Sequence, residues 1–133
     1  MLRASRRELE RAYRSHRDLA QSDKVRITQS HHLLLVYSLE CGLKAAVMRR
    51  RNIDDTSMLG EINFGHHLRE FLKYLRVPAT LRISDHQTRK NEPQTVQPKQ
   101  LHEALHYGVD LQRIDAVLGE LNVIMQWLEE ELL

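Results

Sequence analysis

The pattern of apolar and polar positions divides the chain into helical segments around one central apolar run. Residues 30–51 form this run, and from Leu33 to Met48 apolar side chains lie on nearly every side of a helix. A helix that is apolar all round packs in the middle of a bundle. We therefore predict that residues 30–51 are the central helix of an all-α, up-and-down bundle of four to five helices.

The remaining helical segments have the one-sided apolar spacing of helices that pack against such a centre. They are predicted over residues 3–20, about 64–76, about 98–107 and 110–132. Ser22 and Asp23 are expected to break the first of them. Pro78 is expected to end the second, and Pro98 to begin the third, because proline fits only the first turn of a helix.

The last segment has the most regular seam of apolar side chains in the chain. Its members are spaced alternately by three and four residues, as helices that pack lengthwise require. They are Leu111, Ile114, Leu118, Leu121, Met125, Leu128 and Leu132. This seam and the central helix offer more apolar surface than short helices readily cover, so we expect self-association, as a homodimer or as a subunit of a protein complex.

Residues 84–99 are a polar stretch that follows the helix predicted at about 64–76. They have no apolar periodicity and contain two prolines. Loops of this length are either mobile or functional. We predict one domain over residues 1–133 with a mobile polar loop at about 84–99. Residues 80–83 could form a short strand, but four residues are too few to decide.

Two charged side chains interrupt the central apolar run. Glu40 and Lys44 are four residues apart, so they meet on one face of a helix. A buried charge is costly without a partner, so we predict that they form an ion pair. The single cysteine, Cys41, cannot form an internal disulfide and is expected to be a buried, inert thiol.

The chain starts without the apolar stretch of a signal peptide, and its central run is too short and too charged to cross a membrane. We therefore expect a cytoplasmic protein with no membrane partner. Charge is unevenly distributed: residues 1–92 have 18 basic and 11 acidic side chains, whereas residues 93–133 have 2 and 7. The first part is thus better suited to an anionic partner.

Four arginines recur in the first predicted helix at steps of four, four and three residues: Arg3, Arg7, Arg11 and Arg14. They form a basic stripe, which is either a solvated face or a surface that contacts phosphates. The arginines at 49–51 carry less functional information, because positive charge at a helix C-terminus is favourable without any ligand.

Three segments resemble the HEPN (higher eukaryotes and prokaryotes nucleotide-binding) domain superfamily. The central run, VYSLECGLKAAVMRR, resembles the second helix of these domains. Residues 65–68, GHHL, are similar to the Gly-His-Asp-Leu or Gly-His-Asn-Leu of the family and depart from it at His67. Residues 101–108, LHEALHYG, are similar to a family segment that usually has Arg where this chain has His106.

The resemblance implies a helical bundle that associates with RNA, of the kind found in toxin–antitoxin and antiviral defence systems. Catalytic members are metal-independent ribonucleases with an Arg followed, after four to six residues, by a His in the later half of the domain. This chain has that spacing at Arg11–His16 and Arg26–His31, both in its front part, and Arg82–His86 is one residue too short. The late motif of catalytic members is therefore not found.

His102 and His106 are four residues apart and share a helical face. The spacing could hold a metal, but no third ligand is identifiable from the sequence, so no metal site and no cofactor are predicted. A contact with nucleic acid is the better functional interpretation of the pair, and a polar position in the bundle is the alternative.

Two functions fit these observations. The first is a small HEPN-like RNA-associated protein of a toxin–antitoxin or antiviral system, with metal-independent ribonuclease activity as its candidate reaction. Its candidate nucleic-acid contacts are Arg3, Arg7, Arg11, Arg14, His102 and His106. The second is a catalytically silent helical scaffold in a larger nucleoprotein or defence complex, which the missing Arg–His motif favours.

Overall fold

A computed structural model describes residues 3–21 and 29–133. These residues form five α-helices and one two-stranded hairpin. The helices are α1 (Arg6–Ala20), α2 (Gln29–Arg51), α3 (Leu68–Leu75), α4 (Leu101–His106) and α5 (Ile114–Glu131). The strands are β1 (His86–Gln87) and β2 (Thr95–Val96). The predicted helical class and helix number are confirmed.

Helix α2 is the centre of the fold, as the sequence predicted. It packs against each of the other four α-helices. Because neighbours surround it, α2 is buried on almost every side, and from Leu43 to Met48 only Lys44 is not fully enclosed. Its last three residues, Arg49 to Arg51, emerge from the core.

Helix α1 begins later than predicted because a capping box sets its first residue. The Ser5 hydroxyl accepts a hydrogen bond from the backbone N–H of Glu8, and the Glu8 carboxylate accepts one from the N–H of Ser5. Tyr13 is its one fully buried side chain, and Ser38 of α2 donates a hydrogen bond to the Tyr13 carbonyl at 2.8 Å. The predicted break at Ser22 and Asp23 lies outside the described residues.

Helix α3 is shorter at both ends than the sequence predicted. Gly65, with φ of +59°, turns the chain before it, so the helix starts at Leu68 and His66 is not within it. Arg76 takes a left-handed conformation with φ of +51° and ends the helix two residues before Pro78. The proline is therefore not what stops α3.

The stretch predicted as a mobile polar loop, residues 84–99, contains the antiparallel pair β1 and β2, with His86 opposite Val96, so it has secondary structure of its own. Thr88 is buried and bridges to Leu111, which precedes α5. Polar side chains hold the hairpin: the Thr88 hydroxyl accepts a hydrogen bond from the N–H of Gln94 at 2.9 Å. Because polar side chains make these contacts, the sequence of the hairpin shows no regular spacing of apolar residues.

The seam predicted in the last helix is present but faces the interior of this chain. Leu111, Leu121, Met125, Leu128 and Leu132 are all buried. Most of the seam is therefore covered by the chain's own helices, although Ile114 and Leu118 are only half-buried. Self-association through the seam or the central helix stays a prediction. Among the described residues, no helix combines the length and apolar character that a membrane span requires.

Candidate functional site

Three side chains from separate parts of the chain meet at one edge of the bundle. Glu40 lies on α2, His66 in the turn before α3, and His102 on α4. His66 Nδ1 is 2.9 Å from Glu40 Oε1, and the imidazoles of His66 and His102 stack with centroids 3.7 Å apart. We call these three residues the Glu–His–His cluster.

Rigid local structure brings the cluster together. Glu40 is fixed by the central helix, and His102 by α4, whose preceding turn begins with Pro98. The turn with His66 is anchored by Phe64, whose ring packs edge-on against that of Phe71 at 5.1 Å between centroids. The left-handed conformation of Gly65 then allows the chain to reverse at this point.

Glu40 is the buried charge of the cluster, and its partner is not the one predicted. Burial raises the pKa of its carboxyl, while the hydrogen bond with His66 and the positive charge of Lys44 act in the opposite direction. The predicted Glu40–Lys44 ion pair is wrong, because Lys44 acts only through space and His66 makes the direct contact. The i, i+4 spacing identified a neighbour, but the tertiary contact is shorter.

His102 is half-buried, and burial together with the neighbouring His66 lowers its pKa. Its imidazole is therefore neutral at physiological pH. Nδ1 of His102 is inaccessible to solvent and has no hydrogen-bond partner of good geometry, although the Lys99 carbonyl is near enough to act on the pKa in the upward direction. A buried ring nitrogen without a well-aligned partner is uncommon in a folded protein.

His106 does not join the cluster, although the sequence paired it with His102. It is exposed, and its ring lies against Tyr107 with centroids 5.4 Å apart. The structure thus brings His102 to Glu40 and His66 instead. No third ligand was identifiable from the sequence, because the partners of His102 are 36 and 62 residues away along the chain.

The basic stripe is exposed, with one change from the prediction. Arg7, Arg11 and Arg14 lie on one face of α1, whereas Arg3 precedes the helix. Among residues 3–21 and 29–133, no carboxylate forms an ion pair with any of the four. Their charges are therefore available to a partner.

Other arginines are committed to the fold. Arg50 forms an ion pair with Glu131 at 2.7 Å and donates a hydrogen bond to the carbonyl of Leu75. Arg49 donates to the carbonyls of Glu131 and Leu133. Arg49 and Arg50 therefore fasten α2 to α3 and α5 and are not a free cationic patch.

Within residues 3–21 and 29–133, no hydrogen bond joins the arginine to the histidine of the Arg11–His16 or Arg82–His86 spacing. His86 Nε2 lies instead 2.8 Å from Glu120 Oε1. Arg11 is exposed on α1, His16 is half-buried, and both lie outside the cluster. Arg26, the arginine of the Arg26–His31 spacing, lies outside the described residues.

Cys41, next to Glu40 in sequence, is half-buried, and burial raises the pKa of its thiol. A protonated thiol is a poor nucleophile and a poor metal ligand, which agrees with the inert role that the sequence suggested.

A shallow surface pocket of about 200 Å³ lies beside the cluster, lined by His67, Arg69, Glu70, Gln97, Pro98 and Lys99. It is smaller than the ~300–1,000 Å³ of most small-molecule sites.

Comparison of the chain with protein-family models, with curated proteins and with solved structures finds no match. Function must therefore be inferred from the geometry of the described residues.

Proposed function

We propose that this chain is a small HEPN-like protein that associates with RNA in a toxin–antitoxin or antiviral defence system. One observation supports the HEPN-like part. Each of the three segments that resemble the family supplies one member of the Glu–His–His cluster. The parts of the chain that carry the resemblance thus meet at one point in the fold.

The exposed arginines of α1 support the association with RNA. Three of them follow one face of the helix without an internal partner, so they can contact successive phosphates of a backbone. Each such contact releases counterions, and binding then weakens as salt rises. Contacts with phosphates do not depend on the base sequence of the RNA, so this surface implies an affinity for RNA in general.

The first prediction concerns this surface. Replacing Arg7 and Arg11 by Gln should weaken RNA binding and reduce the slope of log affinity against log salt by roughly one unit for each arginine–phosphate interaction removed. Helicity should not change, because Gln is also a good helix former. The measurement is RNA affinity over a range of salt concentrations for both proteins.

A charge-matched control is available in the hairpin. Arg89 and Lys90 are also exposed and also contribute two positive charges. Arg89→Gln with Lys90→Gln should affect binding much less. If the two double variants bind RNA equally, or if the α1 variant binds as the unchanged chain does, the stripe is only a solvated face.

Ribonuclease activity is the candidate reaction of this proposal. Incubation of the purified chain with transfer RNA and messenger RNA, with and without chelator, tests it directly. Cleavage that persists in chelator would fit the metal-independent chemistry that the family resemblance implies. If the RNA stays intact in both reactions, the proposal is limited to RNA association without catalysis.

A scaffold subunit is the second candidate function, and a specific observation favours it. Arg69, the arginine closest in sequence to His66, donates hydrogen bonds to the Ile83 carbonyl at 2.9 Å and to Asp85 at 2.8 Å. It is thus bound in place rather than free to stabilise a reacting phosphate. A chain that neither cleaves RNA nor shows weaker RNA affinity in the Arg7/Arg11 variant would fit this second function.

A further inference from the structure

We propose that Glu40, His66 and His102 bind one divalent transition-metal ion, with zinc the best match. The three side chains offer two imidazole nitrogens and one carboxylate oxygen, and these ligand atoms all lie within 4.8 Å of one another. The site goes beyond RNA association, because the arginines proposed to contact RNA take no part in it.

The donor set selects the class of ion. Two histidines and one glutamate are a ligand combination found in zinc enzymes, where three protein ligands leave a fourth position open. Imidazole also suits other transition metals, whereas magnesium and calcium prefer oxygen ligands alone. A site with two nitrogens and one oxygen should therefore discriminate against the hard cations.

The geometry requires a small rearrangement, and the structure shows which residue can make it. Metal–ligand bonds of about 2.0–2.2 Å place neighbouring ligand atoms roughly 3–3.5 Å apart, whereas the ligand atoms of the cluster lie within 4.8 Å of one another. An imidazole binds a metal in the plane of its ring, but the rings of His66 and His102 are stacked with an angle of only 15° between them. One ring must therefore turn.

His66 is the ring that can turn. Its side chain is 52% exposed and lies in a turn, whereas that of Glu40 is 11% exposed and fixed on the central helix. Rotation would exchange its hydrogen bond with Glu40 for a bond to the ion. The exposed side of His66 would then leave the fourth position accessible to water or to a ligand oxygen.

The charge of Glu40 also favours an ion here. Glu40 is a buried carboxylate whose direct contact is an imidazole, so a divalent cation would compensate its charge more completely than the present hydrogen bond does.

The test is a titration of the full chain with Zn²⁺ by calorimetry, together with the visible spectrum of the Co²⁺ form. One ion should bind per chain, and Co²⁺ should give the absorption of a four-coordinate site. Separate substitutions Glu40→Gln, His66→Gln and His102→Gln should each weaken binding by more than about 10-fold, since even an outer-shell partner contributes about 10–100-fold.

Two neighbouring histidines provide matched controls. His67 is adjacent to His66, and His106 is one helical turn from His102, and both are exposed and outside the cluster. His67→Gln and His106→Gln should bind Zn²⁺ as the unchanged chain does. Circular dichroism of every variant shows whether the helical fold is retained, and the amide of the new side chain in His66→Gln can still donate a hydrogen bond to Glu40.

Three results would overturn the proposal. The first is no saturable Zn²⁺ binding by the unchanged chain, and the second is equal loss of binding in the controls, which would indicate adventitious binding by surface histidines. The third is full affinity in a folded His66→Gln variant. The Arg7/Arg11 variant should bind Zn²⁺ normally, so failure of the RNA proposal and failure of this one can be told apart.

Discussion

At the scale of single residues, Glu120 illustrates how one carboxylate can connect distant segments. It lies on α5 and accepts hydrogen bonds from the Ser84 hydroxyl at 2.6 Å and from His86 Nε2, which is 2.8 Å away. Its side chain is 19% exposed, so these bonds are partly shielded from water. Glu120 thereby holds the hairpin segment against the last helix.

We predict that Glu120→Gln destabilises the fold by about 1–3 kcal/mol, the usual contribution of hydrogen bonds to a charged group. Burial alone would raise the pKa of Glu120, but the hydrogen bonds from Ser84 and His86 hold it below the ordinary value of 4.5. The folded state therefore favours the ionised form. Chemical denaturation of the variant and the unchanged chain at neutral pH measures the difference.

The pH dependence has a definite sign. A depressed pKa in the folded state contributes stability that is complete above the unfolded value of 4.5 and is lost as pH falls through the lower folded value. The difference between the unchanged chain and Glu120→Gln should therefore shrink below that pH. Glu130→Gln, an exposed change on the same helix, serves as the matched control at each pH. A pH-independent difference would contradict the argument.

At the scale of elements, the close approach of three helices depends on Gly42. A Cβ atom at this position of α2 would lie 2.8 Å from Tyr13 Cδ1 of α1 and 2.9 Å from Leu128 Cδ1 of α5. Real Cβ atoms do not approach other atoms so closely, so the glycine is required by packing. The absence of a side chain lets both neighbours reach the central helix.

Gly42→Ala should destabilise the chain by about 1–3 kcal/mol, because overpacking outweighs the gain in helix propensity of about 1 kcal/mol. The same substitution at Gly119 of α5 meets no atom within 4 Å and should instead stabilise by about 0.5–1 kcal/mol. Thermal and denaturant unfolding of both variants compare the two signs. A stabilised Gly42→Ala protein would show that the three helices are not packed this closely.

At the scale of the whole molecule, two ion pairs join the acidic end of the chain to its basic first part. Arg17 of α1 lies 3.5 Å from Glu129, and Arg50 of α2 lies 2.7 Å from Glu131. The arginines on the outer face of α1 take no part in these pairs. Separation of charge along a chain therefore does not imply separate charged surfaces.

Substitution of Leu128 tests whether the apolar seam packs only within one chain or is shared between two copies. It is fully buried against the other helices, so Leu128→Ala should cost about 2–5 kcal/mol. Val123→Ala on the same helix should cost far less, because that side chain is 45% exposed. Denaturant unfolding at several protein concentrations measures the stability of both variants. Sedimentation measures whether each of them self-associates. A Leu128→Ala variant that kept its stability but no longer self-associated would place the seam at an interface.

Helix number and order could be predicted from the sequence because apolar periodicity is a local property. The run from residue 30 to residue 51 was recognisable as the central helix, and the seam of the last helix as a buried face. The ends were less accurate, since Ser5, Gly65 and Arg76 set them through backbone geometry. The hairpin escaped detection because hydrogen bonds of polar side chains hold it.

The sequence by itself determined that α2 would be central and that Glu40 would need a partner, since burial of a charge is costly wherever it occurs. Only the tertiary structure decided that the partner is His66 rather than Lys44, and that His102 stacks against it. Spacing along a helix identifies neighbours within one element. Contacts between elements depend on turns such as that at Gly65, whose direction no local periodicity records.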